Sequence, residues 1–341
     1  KQSQLPTTLV SLESVLQAHD GHDDAERLKK YLFEQWKLHS LGYVLLVGDA
    51  DVMPVRYMVL DRVDHKAFHF AFYPADLYYS DLAKADGTFD DWNAQKDGYH
   101  AHYFGEVRGE HNKRDPINFD QVDYLPDVAV GRWPVSTVEE VATVTEKTIK
   151  YEQAVLTDKE PYLRRAALLS VSGWVYTRLF LDQTAKVLEP QWSVEKLYYA
   201  DKRRDDKLRK PDWHEVSKLL EEGVGFAIHT GHGQSDCWEQ CFSIKTLKAV
   251  NNSDRPAVLY SAGCLSGRLA TLPPYEPYVD VDGKEHRGSD AGELFDAPPP
   301  PPAVYQKGRF NTTGLGEQLL RGGLNGAVAY IACNTGSQPC G

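Results

Sequence analysis

Six short apolar, largely β-branched runs restrict what this chain can fold into more than any other feature of its sequence. They lie at residues 43–47, 127–130, 166–171, 224–228, 257–261 and 327–332. Runs of this length without polar alternation read as strands buried on both faces. Helical spacing fills the gaps between them. Leu28, Leu32 and Trp36 recur four apart within residues 23–38, and residues 137–156 follow a capping box formed by Ser136 and Glu139. Two more helices are expected, at 176–188 and from the cap Asp212 to Glu222, where Gly223 stops the second. Strand followed by helix, repeated, predicts an α/β protein with a mostly parallel sheet flanked by helices and a site at the carboxyl ends of its strands.

The polar stretch 157–161 separates two sets of strands, so a division into residues 1–160 and 161–341 is expected, the first part being the smaller α/β subdomain. Residues 61–124, rich in Asp, Tyr and His, and residues 268–310, with eight prolines including the run from Pro298 to Pro302, fit neither period. The proline run reads as a stiff connector or as a docking site for a proline-reading partner.

Charge narrows the partners. With 38 Lys and Arg against 49 Asp and Glu, the net charge is −11, which repels phosphate backbones, so nucleic acid is not expected. Apolar stretches run to about seven residues, far below the ~20 that cross a bilayer, so no membrane span is expected. Lys1 opens the chain without a basic and apolar leader, so any export signal is expected to have been removed or to lie outside this stretch. Five cysteines (Cys237, Cys241, Cys264, Cys333 and Cys340) are too few and scattered for a disulfide scaffold.

The chemistry concentrates after two successive strands. Gly225-Phe-Ala-Ile-His-Thr-Gly-His-Gly233 ends one, and Ala257-Val-Leu-Tyr-Ser-Ala-Gly-Cys-Leu-Ser-Gly267 ends the next. In a parallel sheet both deliver their carboxyl ends to one edge, so His232 and Cys264 are expected to become neighbours. An imidazole beside a thiol stabilises the thiolate or passes its proton to a leaving group. The amides of Gly233 and Cys264 are then placed to hold an oxyanion. His229 competes for the role of His232. Cys237 and Cys241, four apart in a polar stretch, suit a helical face or a local disulfide.

A strand ending in His-Gly followed by one ending in a small residue and Cys resembles the caspase-like cysteine peptidases, and the gingipain family in particular. The similarity extends to Thr230-Gly-His-Gly233 with Trp238 downstream, Gly263-Cys264 closing at Gly267, Gly314-Leu-Gly-Glu-Gln-Leu-Leu320, Gly326-Ala-Val-Ala-Tyr-Ile331, Val47-Gly-Asp49, Ser80-Asp81, and Asp127-Val-Ala-Val-Gly-Arg132 running into Tyr151-Glu152. The resemblance implies a caspase-like catalytic subdomain supported by a smaller amino-terminal one. It implies a cysteine endopeptidase acting on peptides or proteins, with Cys264 as nucleophile and His232 as acid/base, and an extracellular or cell-envelope location. A catalytically silent relative that binds peptides or assembles with partners is the rival reading, and a thiol hydrolase acting on other amides a third. The loop from Ser170 to Arg178 departs from the family in carrying no Asp or Glu. A substrate pocket is expected among Ser172, Trp174, Tyr176, Thr177, Gln234, Trp238, Ser261, Ala262 and Gly263. Without a carboxylate among these, strong preference for Arg or Lys is not expected unless Asp236 or Glu239 turns inward.

Asp91-Trp-Asn-Ala-Gln-Lys-Asp97-Gly98 sets oxygen-bearing side chains at alternate positions before a glycine, as calcium loops do, although position twelve is Phe104 and Glu106 falls two residues late. A structural calcium ion is expected among Asp81, Asp91, Asn93, Gln95, Asp97 and Glu106; a solvated acidic turn fits the same residues. His100, His102 and His111 lack zinc spacing.

Overall fold

The computed structural model describes residues 5–59, 63–64, 67–68, 71–93, 101–105, 120–171, 176–199, 209–296, 299–305 and 312–334. The chain forms two compact units, residues 1–132 with 270–310 and residues 133–269 with 311–341. The division therefore falls near residue 132 rather than at 160. The proline-rich stretch belongs to the first unit rather than to the second.

In the first unit, helices α1 (Leu12–Ala18) and α2 (Asp24–His39) precede strand β1 (Tyr43–Val47), which pairs with β2 (Ala129–Trp133). Asp23 caps α2 by accepting the Glu26 N–H at 3.0 Å. Its core is aromatic: Tyr78, Tyr79 and Trp92 are fully buried and meet edge to face, with ring centroids 5.3–5.5 Å apart. Within residues 271–296, the ring nitrogens of the buried His286 meet Asp280 at 2.7 Å and Glu293 at 2.9 Å. Prolines offer carbonyls and no N–H, so the donors come from elsewhere in the unit. Tyr103 bonds the Pro299 carbonyl at 2.6 Å, Tyr278 that of Pro300 at 3.1 Å, and Val281 N–H that of Pro301 at 3.1 Å. The described prolines of the run are thus fastened to their own unit.

In the second unit, α3 (Val138–Thr157), β3 (Arg165–Ser170), α4 (Thr177–Leu188), β4 (Ser193–Tyr198), α5 (Trp213–Glu222), β5 (Phe226–Thr230), β6 (Ala257–Ser261), α6 (Leu315–Arg321) and β7 (Ala327–Ala332) follow in chain order. Five of these strands form one parallel sheet in the order β7-β6-β5-β3-β4. Period two explains the burial of β3 on both faces. Ala167 and Leu169 point into a cluster with Leu197, Val216, Leu219, Ala257, Leu259 and Leu319, whereas Leu168 points the other way onto Leu181 and Ala185 of α4. Each fully buried Leu of this kind contributes about 1.5–3 kcal/mol of apolar transfer. The helix cap of α3 is Thr137 rather than Ser136: Thr137 Oγ1 accepts the Glu140 N–H at 3.2 Å, and Glu140 reaches back to the Ser136 N–H at 2.7 Å.

Candidate active site

Parallel register pairs Ser261 with His229, so the loops after β5 and β6 leave the sheet side by side. Three glycines let them close. A Cβ on Gly233 would stand 2.7 Å from the Cys264 carbonyl oxygen and 3.1 Å from Gly263 Cα. One on Gly263 would stand 3.1 Å from both Gly233 Cα and His229 Cε1, and one on Gly231 would strike Val171 Cγ2 at 1.6 Å. The backbone flanking His232 therefore rests directly on the Gly263-Cys264 peptide. His232 itself is exposed, with its carbonyl accepting the Glu239 N–H at 3.0 Å, and Cys264 is half-buried and outside any disulfide.

The turn carrying Cys264 is held from beneath. Leu265 sits at φ +55, a left-handed conformation that disfavours a residue with a Cβ. Ser266, fully buried, donates from Oγ to the Gly263 carbonyl at 2.7 Å, and Gly263 N–H donates to Ser261 Oγ at 3.1 Å. The Ser261 and Ser266 hydroxyls meet at 2.9 Å, and His229 Nδ1 lies 2.9 Å from Ser261 Oγ. His229 is fully buried and stacks on Trp238, centroids 4.7 Å apart and planes 5° from parallel. Burial lowers its pKa to about 3, so the ring is neutral. Trp238 in turn donates from Nε1 to Tyr330 Oη at 3.0 Å.

The Gly314-to-Leu320 block supports the same edge. Leu315 N–H donates to the Ser235 carbonyl at 2.7 Å, and a Cβ on Gly314 would lie 2.6 Å from the Arg268 carbonyl oxygen. One glycine thus admits both loops to the start of α6. Glu317 caps that helix at the Gly314 N–H and pairs with Arg321 at 3.2 Å. Lys147 of α3 closes its other end by donating to the carbonyls of Leu319, Leu320 and Asn325 at 2.8–3.0 Å.

Of the expected pocket residues, Ser172 and Trp174 lie outside the described residues. Tyr176 and Gln234 are exposed and Ala262 is half-buried, its N–H bonded to the His229 carbonyl at 2.9 Å. Thr177, at the start of α4, faces inward, with Oγ1 2.9 Å from that of Thr230. Trp238, Ser261 and Gly263 do not wall an open pocket. They are buried in the layer under the loops, because Trp238 covers the His229 ring and Ser261 ties the nucleophile turn. His229 cannot compete with His232 for substrate, being fully buried. Cys237 and Cys241 lie in neither a shared helix nor a disulfide. Burial and the neighbouring Asp236 push the Cys237 thiol up to about 11, and burial raises that of Cys241 further, so neither supplies thiolate at neutral pH.

In the first unit, Gln95, Asp97 and Glu106 lie outside the described residues. Asp91 Oδ1 accepts the Asn93 N–H at 3.1 Å, while Asp81 Oδ2 accepts Trp92 Nε1 at 3.1 Å. Buried oxygens Asp81 Oδ1, Asp90 Oδ2 and Asn93 Oδ1 have no hydrogen-bond partner. Among the described residues, no three His, Cys, Asp or Glu side chains form a group that holds a metal. The sequence suggests little basic charge near these carboxylates, yet Lys29 of α2 is buried beside them, its Nζ 4.2 Å from the Tyr78 ring centroid. Burial lowers the ammonium's pKa, opposed by Asp90 and Asp81, and burial raises that of Asp81.

Comparison with known proteins assigns the architecture. The family model described as Peptidase family C25 matches residues 1–339. Lys-gingipain of Porphyromonas gingivalis is 27% identical over 150 residues, which is 43% of this chain and 8% of that protein. The matched stretch thus spans less than a tenth of that relative. The complex of Porphyromonas gingivalis RgpB pro- and mature domains superposes with a TM-score of 0.57 at 16% identity, covering 99% of this chain and 59% of that one. The Arg-specific cysteine proteinase gingipain R superposes with a TM-score of 0.54 at 15% identity, covering 92% and 54%. These likenesses carry the fold, a caspase-like parallel sheet flanked by helices. Among the described residues, no helix is long and apolar enough to cross a membrane.

Proposed function

Because this chain belongs to peptidase family C25, we propose that it is a cysteine endopeptidase whose nucleophile is Cys264 and whose acid/base is His232. The observation that supports the reading is the packing of the Gly233 backbone, next to His232, against the Gly263-Cys264 peptide. The thiolate attacks the scissile carbonyl carbon, and the displaced electron pair rests on an oxygen facing the Gly233 and Cys264 amides. The imidazolium of His232 then protonates the leaving amine, and water hydrolyses the thioester, returning thiol and carboxylic acid. Burial disarms Cys237 and Cys241 as competing thiols.

The test is labelling by a thiol-directed peptidyl electrophile, followed by turnover on a peptide library. Labelling at Cys264 that depends on His232 is expected, and Cys264→Ala or His232→Ala should lower kcat by several orders of magnitude without changing stability. Labelling elsewhere, or hydrolysis retained by Cys264→Ala, overturns the assignment. The silent relative is the outcome in which a folded wild type neither labels nor turns over. Tyr176, Gln234 and Ala262 carry no charge, so preference for an apolar or small polar side chain before the cleaved bond is expected; a sharp preference for Arg or Lys would instead point to exposed Asp236 or Glu239.

We also propose a structural calcium ion in the first unit, supported by the unpartnered oxygens of Asp81, Asp90 and Asn93, hard donors of the kind calcium takes. A chelator should then lower the melting temperature of the calcium-loaded protein by several degrees. Unchanged melting would leave the buried Lys29, with Lys84 near Asp90, as the counter-charge. An extracellular or cell-envelope location remains part of the proposal.

A further inference from the structure

Counting protons fixes the tautomer of His229. Ser266 Oγ–H is spent on the Gly263 carbonyl, so the proton of Ser261 goes to Ser266 Oγ, 2.9 Å away, or to Tyr330 Oη, which faces both serine hydroxyls. Ser261 Oγ, having given its only proton, accepts from Gly263 N–H and can only accept from His229. The proton of the neutral ring is therefore on Nδ1. This leaves Nε2 as a bare lone pair, and Nε2 is indeed buried with no hydrogen-bond partner. The opposite tautomer would bury an orphaned N–H.

The direction of the relay matters for the nucleophile. In a trans peptide the C=O and the following N–H point opposite ways. Ser266 is buried and draws the Gly263 carbonyl toward itself, so the N–H of Cys264 is aimed away from that hydroxyl.

We infer that His229 is a positioning residue: through Ser261 and Ser266 it fixes the Gly263-Cys264 peptide and with it the aim of the Cys264 amide that receives the developing oxyanion. This rests on the peptidase reading of the site. His229 does not touch substrate, being sealed under Gly231 and against Trp238. Its effect therefore belongs to the transition state and not to ground-state binding or thiol ionisation.

Three variants and one spectrum test this. His229→Phe preserves a flat ring against Trp238 and removes the donor. It should lower kcat about 100-fold, in the range seen when one oxyanion donor is lost, with KM within about twofold. Alkylation of Cys264 by iodoacetamide, which develops no oxyanion, should stay within about twofold of wild type. His229→Asn, whose side-chain amide can replace the Nδ1 donor, should recover at least about tenfold of the loss. Ser266→Ala should reproduce the defect of His229→Phe, and the double variant should add nothing further. Long-range nitrogen-proton NMR of the wild type should show a neutral Nδ1–H ring that does not titrate between pH 8 and 5. Turnover unchanged in a folded His229→Phe overturns the inference. So does alkylation falling as far as kcat, or a ring protonated on Nε2. Should the wild type hydrolyse no peptide, the peptidase reading fails by itself. The NMR result and the stability coupling of His229 with Ser266 then decide whether the relay exists.

Discussion

The two units build their interiors from different materials. In the second, the sheet strands bury aliphatic side chains in two layers, and Ala166, Ala167, Leu168 and Leu169 are at most 1% exposed. In the first, cations take part in the core. Lys29 and Arg56 are buried among rings, with the Arg56 guanidinium 3.6 Å from the Phe104 centroid and 4.5 Å from that of Tyr78. A fully buried leucine needs only neighbours of the right volume. A buried guanidinium also needs an acceptor, here Asp23, which is 33 residues distant and bonded through both terminal nitrogens at 2.8 and 2.9 Å. The aliphatic unit tolerates local repacking, whereas the aromatic unit depends on single long-range pairs.

The largest effect should come from breaking such a pair. Arg56→Met keeps much of the volume under Phe104 but strands the Asp23 carboxylate at the start of α2. Burial raises that carboxyl's pKa, and Arg56 more than reverses the shift. Removing one partner of a buried ion pair costs about 3–5 kcal/mol, so urea unfolding of Arg56→Met should show a loss of that order. A loss below about 1 kcal/mol would mean that Asp23, 21% exposed, relaxes into water, and that the first unit is no more brittle than the second.

An intermediate effect is expected in the second unit, on acidification. His229 has its pKa lowered from 6.5 to about 3, so between these values the unfolded chain binds a proton that the folded chain does not. Stability attributable to this group is therefore full above pH 6.5 and falls as the pH drops toward 3, by up to about 1.4 kcal/mol per unit. Between pH 7 and pH 5 the wild type should lose about 2 kcal/mol more than His229→Asn, measured by urea unfolding at each pH. Equal losses would show that the folded protein admits the proton, and would remove the case for a permanently neutral ring.

How much of each unit can be read from the sequence follows the same division. The strand at 257–261 and the helix stop at Gly223 are found where the apolar run and the glycine place them, because burial on both faces leaves an uninterrupted signature. Strand β4 carries no such signature. Its Glu195 and Lys196 pair with Arg165, Arg209 and Asp182, so an edge strand reads as a charged loop. Within the candidate site, the positions of His232 and Cys264 follow from parallel topology. The supporting layer does not, since nothing in Ser-Ala-Gly-Cys-Leu-Ser says that both hydroxyls turn beneath the sulfur-bearing turn rather than into a pocket. Trp238 misleads for the same reason, since an aromatic next to a reactive loop suggests a wall, and only the stack on His229 shows it facing the core. In the first unit, Lys29 lies in a helix whose sequence pattern gives no sign of Asp81 and Asp90, more than fifty residues away.

The smallest effect lies in the cap of α3, where sequence and structure differ by one residue. Serine followed three residues later by glutamate marks Ser136 as the cap, yet Thr137 satisfies Glu140 N–H, and the reciprocal bond runs from Ser136 N–H to the Glu140 carboxylate. The shift has a local reason. Arg321 donates to the Pro134 carbonyl at 2.7 Å and approaches Ser136 Oγ at 3.4 Å, so the serine hydroxyl is turned toward the guanidinium and away from the helix end. Thr137→Ala should therefore cost about 1 kcal/mol, the usual value of a lost cap, and Ser136→Ala less than about 0.5 kcal/mol. Thermal unfolding of the two variants side by side separates these positions. A larger loss from Ser136→Ala would return the cap to the serine and imply that Arg321 is held without it, by the Pro134 carbonyl at 2.7 Å and by Thr313 and Glu317 at 3.2 Å.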